Sequence, residues 1–195
     1  MTRLLTLSLL FASAASAQLA VGDPLPSPDA PLAAADGSTL SLASAAGDEG
    51  LAVLFWSNTC PWTERYADRV AEIVRVYVPA GIGVVLVNSN DPSDEGASAI
   101  ASREHASASA LAAPYLLDGD GRLADAFGAT NTPHAFFFGP GNTLLYEGAI
   151  DDGPASPARV EVAYLRQAMD QSVAGLAVEV QQTRAIGCKI DRAGE

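Results

Sequence analysis

Cys60 is the residue whose type and setting best suit chemistry. It follows the apolar run of residues 51–56 and directly precedes a segment with helical spacing of apolar side chains. That order sets a thiol at the end of a buried strand and on the first turn of a helix. The unpaired N–H groups and dipole of a helix N-terminus stabilise an anion there. A thiol so placed should ionise more readily, and the thiolate is the reactive form. The bland alternative is a buried structural cysteine, since free cysteine packs as a small hydrophobe. Cys60, Pro61 and Trp62 at a strand-to-helix junction favour the reactive reading. Thr63 stands where the second cysteine of a Cys-x-x-Cys pair would be, so no disulfide can close across that turn. Its hydroxyl can donate to the thiolate, or satisfy first-turn backbone groups instead.

Cys188 is the only other cysteine in the 195 residues, so only one pairing within the chain is possible. Thr132 and Pro133 precede an aromatic strand, residues 134–138, and a proline opening a strand can be cis. His134 can lower a thiol pKa if its imidazolium lies close, although a lone histidine at a strand start is more often a packed or exposed side chain. His105 falls in a polar helix and is expected to face solvent. Asp118, Gly119, Asp120 and Gly121 hint at a calcium loop, but Arg122 takes a liganding position and no glutamate closes the loop. They read as a turn. Asp151 and Asp152 are adjacent carboxylates without a neighbouring His or Cys, and read as a polar turn before the last helix. With the histidines and cysteines far apart, the chain implies no zinc site, no other metal and no cofactor.

The elements that must position these groups follow from patterning. Asp36 and Gly37 mark a turn, and residues 38–42 form the second arm of a small hairpin. Residues 51–56 and 82–88 are buried strands, and residues 64–78 between them carry Tyr66, Val70, Ile73, Val74 and Tyr77 at helical spacing. Continuous apolar strands flanked by helices argue for a parallel pair joined by a crossover. An Ala- and Ser-rich helix is expected over 97–112, a short strand or turn over 115–118 and a short helix over 122–127. Residues 134–138 and 143–148 form a hairpin through the Gly-Pro-Gly-Asn turn of 139–142. The last helix is expected over 157–173, burying Val162, Leu165, Met169 and Val173. A tail without strong period runs over 175–195. Strand, helix, strand, helix, hairpin and helix in that order give an α/β protein with a thioredoxin-like fold: a central mixed β-sheet with helices on both faces.

Composition sets the remaining limits. With 49% hydrophobic and 17% charged residues, the chain can bury one real core, so residues 18–195 read as a single domain. Arg3, an apolar run over 4–12 and Ala15-Ser16-Ala17 read as a signal peptide over residues 1–17. A short membrane anchor is the weaker alternative. Cleavage removes Arg3 and takes the formal charge from -12 to -13. The acidic chain has no basic patch, which argues against a nucleic-acid partner. Beyond the leader no run reaches the roughly 18 apolar residues of a membrane span. Export, to a periplasm or the exterior, would place the cysteines where disulfides persist. Oligomeric state is left open.

Together these residues resemble the peroxiredoxin-like redoxins of the alkyl hydroperoxide reductase and thiol-specific antioxidant superfamily. The resemblance runs from about residue 21 to 190. It is carried by Asn58 to Trp62 with Arg65 and Tyr66, by 87–91, by 128–133, by 148–152 and by Ile186, Gly187, Cys188, Lys189 and Ile190. It implies that Thr132 and Pro133 lie against the reactive cysteine. True peroxiredoxins carry the peroxidatic cysteine at the position of Thr63, within a Pro-x-x-x-Thr-x-x-Cys pattern absent here. Many relatives also have a cysteine where this chain has Ser57. The resemblance therefore implies thiol–disulfide exchange more than peroxidase activity, with protein or small-molecule disulfides, thiols or oxidants as partners. In that scheme Cys60 attacks, Thr132 and Pro133 position the sulfur, and Cys188 resolves the intermediate. The competing expectation is a non-enzymatic binding module in which Cys60–Cys188 is a structural staple.

Overall fold

The computed structural model describes residues 19–108 and 111–192; the expected signal peptide lies outside them. The strands expected to be buried are the centre of the architecture. β3 (Gly50–Phe55) is buried along its whole length. Its side chains alternate, with Ala52 and Leu54 in one apolar layer and Leu51, Val53 and Phe55 in the other. A strand covered on both faces reads as an unbroken apolar run, which is what the sequence shows. β4 (Ile82–Asn88) pairs parallel with β3, from Gly50 opposite Ile82 to Phe55 opposite Val87.

β1 (Leu32–Ala34) and β2 (Thr39–Leu40) form the small N-terminal hairpin, and β1 adds antiparallel to β5 (Tyr115–Leu117). On the other side of β3, β7 (His134–Gly139) and β8 (Thr143–Gly148) form the expected hairpin. The sheet has seven strands in the order β2-β1-β5-β4-β3-β7-β8, with β3, β4 and β5 parallel and the rest antiparallel to their neighbours. A second, two-stranded sheet pairs β6 (Asn131–Thr132) with β9 (Cys188–Lys189). The α/β class and thioredoxin-like layout are those expected.

Helices cover both faces. α2 (Pro61–Tyr77) buries Tyr66, Val70, Ile73, Val74 and Tyr77 in the same layer as Leu165 and Met169 of α5 (Tyr164–Val173). It starts three residues earlier than the apolar spacing shows, because Pro61 occupies N1, where its fixed φ and missing N–H cost nothing. α1 (Leu42–Ala45) and α4 (Arg122–Phe127) cover the opposite face through Leu42, Leu123, Ala124 and Phe127. The Ala- and Ser-rich helix is shorter than expected, a 3-10 turn over Glu95–Ala97 followed by α3 (Ala99–Ala108).

The last helix departs further. Residues 157–159 form a 3-10 turn and α5 begins only at Tyr164. The intervening chain is captured by Asp152, whose Oδ1 accepts from the N–H groups of Glu161 at 2.9 Å and Val162 at 3.1 Å. Val173, expected in the buried stripe, is 47% exposed at the helix end.

Phe127 sits at the centre of the second layer, with its ring centroid 5.4 Å from Phe55, 5.1 Å from Phe136 and 5.7 Å from Phe138, all edge-on. Phe127→Ala should therefore cost about 3–5 kcal/mol in urea unfolding of the disulfide-intact protein. A loss under about 1 kcal/mol would show that this layer closes without the ring.

Candidate redox site

The site lies where β3 ends. After Phe55 the chain crosses Trp56, Ser57, Asn58 and Thr59 before Cys60 caps α2 in an extended conformation, with φ -80° and ψ 121°. Asn58 holds this crossing in place. Its amide donates to Gly96 O at 2.6 Å and Ser102 Oγ at 3.0 Å, and its Oδ1 accepts from the Tyr115 hydroxyl at 2.7 Å. Asn88, at the end of β4, donates to the same Ser102 hydroxyl at 3.2 Å. One polar network thus ties the ends of β3, β4 and β5 to α3 beneath the cysteine.

Cys60 is 3% exposed and bonded to Cys188, with the two Cα atoms 6.0 Å apart, inside the usual range of about 4.4–6.8 Å. Its Sγ lies 3.3 Å from the carbonyl oxygen of Thr132. In the reduced protein that oxygen is an acceptor for the thiol. The Thr132–Pro133 peptide bond is cis, as the sequence predicted. The structure therefore brings Cys60, Thr132, Pro133 and Cys188 together.

The tail reaches this point by backbone pairing, which a search for side-chain periodicity cannot detect. Glu147 N donates to Gln181 O and Thr183 N to Glu147 O, each at 3.0 Å. Thr183 Oγ1 accepts from Ala149 N at 2.9 Å. β9 then pairs antiparallel with β6, setting Cys188 opposite Thr132. Gly187 is required here, since a Cβ would collide with the Thr132 carbonyl. Beyond the cysteine, Ile190 is buried and Arg192 donates to Gly121 O at 2.8 Å while pairing with Asp125 at 2.9 Å.

Thr63 is fully buried, and its hydroxyl lies 2.6 Å from Ser57 O and 2.7 Å from Cys60 O. A hydroxyl has one proton, and two carbonyls compete for it. Of the two roles open to it, the hydroxyl takes the backbone one, closing the turn into α2 and leaving the Cys60 sulfur without its donation.

Of the two histidines, His105 departs from expectation, while His134 is a packed side chain as favoured. His105 does not face solvent freely: it is half-buried, and its Nε2 accepts from the Trp56 indole N–H at 3.0 Å. A buried indole needs an acceptor, and burial lowers the His105 pKa, keeping the ring neutral for that role. His134 stacks on Phe136 with centroids 4.3 Å apart, and its Nδ1 is buried without a hydrogen-bond partner. Burial pushes its pKa down to about 4. A ring that stays neutral at pH 7 supplies no imidazolium to the thiol, so the tuning role considered for it does not hold.

Asp118 is a buried cap, accepting from Ser89 Oγ, Leu123 N and Ala124 N at 2.7–3.0 Å. Asp151, in the polar turn expected before the last helix, is buried. Arg69 pairs with it at 2.5 Å and the Tyr66 hydroxyl donates to it at 3.1 Å. The Arg69 guanidinium also lies 3.8 Å over the Tyr66 ring. This pair fixes α2 to the segment after β8, and nothing in the sequence pattern singled out Arg69. Among the described residues no group of three or more His, Cys, Asp or Glu side chains is arranged to hold a metal ion.

The profile of the AhpC/TSA family matches residues 21–147. The chain belongs to the AhpC/TSA family. It is similar to a hypothetical protein from Sinorhizobium meliloti 1021, with 30% identity, 92% of this chain and 98% of that chain covered, and a TM-score of 0.83. It is also similar to an uncharacterized conserved protein from Geobacillus kaustophilus, at 26% identity over 90% of this chain and 94% of that one, with a TM-score of 0.83. A secreted Mycobacterium tuberculosis disulfide oxidoreductase homologous to E. coli DsbE shares the fold at 16% identity, over 75% of this chain and 95% of its own, with a TM-score of 0.54. No curated protein matches the chain. The AhpC/TSA chain thus has a redoxin-type, thiol–disulfide oxidoreductase-like fold with a Cys60–Cys188 disulfide. No helix among its described residues is long and apolar enough to cross a membrane.

The half-buried His134 makes a pH prediction. Below its ordinary value of 6.5 the unfolded chain binds a proton that the folded ring refuses until about pH 4. Stability must fall as pH drops through that window. His134→Phe should remove this part of the loss, so that the variant's urea midpoint declines less than the wild type's between pH 6.5 and 4. Parallel curves would contradict the burial of a neutral ring.

Proposed function

We propose that the protein is an exported thiol–disulfide oxidoreductase or antioxidant of the redoxin type, with Cys60 as its reactive thiol. The observation that carries this reading is the bond between a helix-capping cysteine and a tail cysteine, formed against Thr132 and cis-Pro133. In the reduced protein the Cys60 thiolate attacks one sulfur of a disulfide, releases the other as a thiolate and becomes a mixed disulfide. Cys188, as thiolate, then attacks Cys60 Sγ and expels the remaining substrate thiolate. Two electrons pass from the protein to the substrate, and the protein is left in the oxidised form described above. Against a hydroperoxide, the Cys60 thiolate takes the terminal oxygen to become a sulfenic acid while the other oxygen leaves as the alcohol, and Cys188 condenses with the sulfenic acid, releasing water.

Thr132 and Pro133 position the sulfur in this scheme, and Thr63 holds the turn that presents it. The substrates are protein or small-molecule disulfides, thiols or oxidants. Residues 1–17 act as a signal peptide and residues 18–195 as one thioredoxin-like domain with its tail over 175–195, which places the protein in the periplasm or outside the cell. The absence of the peroxiredoxin cysteine pattern argues for disulfide exchange over peroxide reduction.

A second reading is supported by the burial of Cys60 and by the side chains that anchor the tail independently, Ile190 and Arg192. In it the disulfide is a staple. Alkylation of the reduced protein separates the two. The catalytic reading predicts that Cys60 reacts faster than Cys188, with a pH midpoint below the free-thiol value of about 8.5. A midpoint at or above that value would remove the case for catalysis.

A further inference from the structure

α3 reaches the crossing before Cys60 through polar contacts rather than a broad apolar face. Ser102 is its buried residue, Ala106 is only partly buried, and Ile100 is 73% exposed. Ser102 Oγ accepts from the Asn58 amide at 3.0 Å and from the Asn88 amide at 3.2 Å. One turn on, His105 Nε2 accepts from the Trp56 indole N–H at 3.0 Å. Trp56 and Asn58 flank Ser57 on the way from β3 to Cys60, so α3 grips that crossing at two points.

The grip at Trp56 depends on a lone pair. With Nε2 accepting, the neutral ring carries its proton on Nδ1. A proton added at Nε2 turns the acceptor into a donor, and two N–H groups then face each other. Trp56 is fully buried, so its N–H is left without an acceptor, and water can supply one only if α3 moves away. Glu64, in the first turn of α2, acts on the ring from a neighbouring element, and its carboxylate attracts an imidazolium. Tyr115 on β5 has its ring 6.5 Å away, and burial keeps its hydroxyl protonated. On α3 itself Arg103 donates to Ala35 O at 2.8 Å, and Glu104 is exposed.

We propose that His105 is a positioning residue for the redox site: its neutral ring clamps α3 to the crossing that carries Cys60, and its protonation releases α3 and loosens that crossing. The clamp stands on the contacts above, and its bearing on disulfide exchange rests on the redox reading. Burial opposes the imidazolium in the docked state, so the docked ring takes up its proton at lower pH than a free one. Docking is therefore insensitive to pH above the ordinary histidine value of 6.5 and weakens as pH falls below it. Within that window each pH unit raises the released fraction by about tenfold, until the docked ring itself takes the proton. The turn before Cys60 is held firm in neutral surroundings and opened in acidic ones.

The test follows the Trp56 indole N–H by NMR, together with amide exchange of α3, from about pH 7.5 to about pH 4.5. It compares the oxidised wild-type protein with His105→Gln, whose side chain offers a neutral acceptor at every pH. His134 titrates in both proteins, so its effect cancels in the comparison. The wild-type indole signal should move with a midpoint below 6.5 while the variant's stays in place. Protection of α3 amides, relative to the variant at the same pH, should fall by up to about tenfold per pH unit in that window. An indole signal that is flat in the wild type, or moves equally in both proteins, would overturn the proposal. So would a titrating indole with α3 protection unchanged. Reduction of the disulfide by a phosphine separates this outcome from the redox reading. The ratio of wild-type to variant rate should rise as pH falls, and a ratio independent of pH would overturn the positioning role. A disulfide that no reductant opens in the folded protein would instead overturn the redox reading and leave the proton-linked clamp in place.

Discussion

β3 is covered by apolar side chains on both faces, so its backbone groups must be satisfied by β4 and β7 and its path is fixed. The chain can leave it in only one place, after Phe55, where Asn58 ties the exit to Gly96, Ser102 and Tyr115. Pro61 then starts α2 at once. Those constraints put Cys60 at a helix N-terminus and under cover, which is a setting that stabilises a thiolate and also limits what can reach it. The proposed chemistry follows from that combination of electrostatic support and restricted access.

Restricted access makes the tail more than an appendage. Cys188 lies 128 residues beyond Cys60 in sequence, and a bond closing a loop of that order contributes about 4–5 kcal/mol in the chain-entropy model. The tail does not depend on the bond alone. Its main chain pairs with Glu147 and with β6, Ile190 is buried, and Arg192 binds Gly121 and Asp125. In the proposed redox scheme those contacts hold Cys188 close when the bond is open, which keeps its effective concentration at Cys60 high and favours closure of the ring over release.

What could be read in the sequence was local. The apolar run before Cys60, the helical spacing after it and the Thr132–Pro133 step each lie within a few residues, so periodicity and turn chemistry reveal them. The Trp56–His105 bond spans 49 positions and the Arg69–Asp151 pair 82. Neither exists until α3 and the segment after β8 have docked. Thr63 was open to two roles in the sequence, and the choice between them rests on the carbonyls of Ser57 and Cys60, whose positions only the folded turn fixes. The last helix was drawn too long because Asp152 captures residues 161 and 162 across the turn. The tail was legible as a family-like segment around Cys188, while its course along Glu147 and Thr132 rests on backbone bonds that leave no side-chain pattern.

The account stands or falls on whether the Cys60–Cys188 bond exchanges electrons in the folded protein. The most direct measurement is its reduction potential, obtained by equilibrating the protein with dithiothreitol buffers and counting free thiols at each ratio. A thiolate-stabilising helix end on one side of the bond favours the reduced form, so the potential should lie above about -300 mV, within the span of exchanging disulfides. A value well below about -300 mV would mark the bond as a structural staple and contradict the redox assignment.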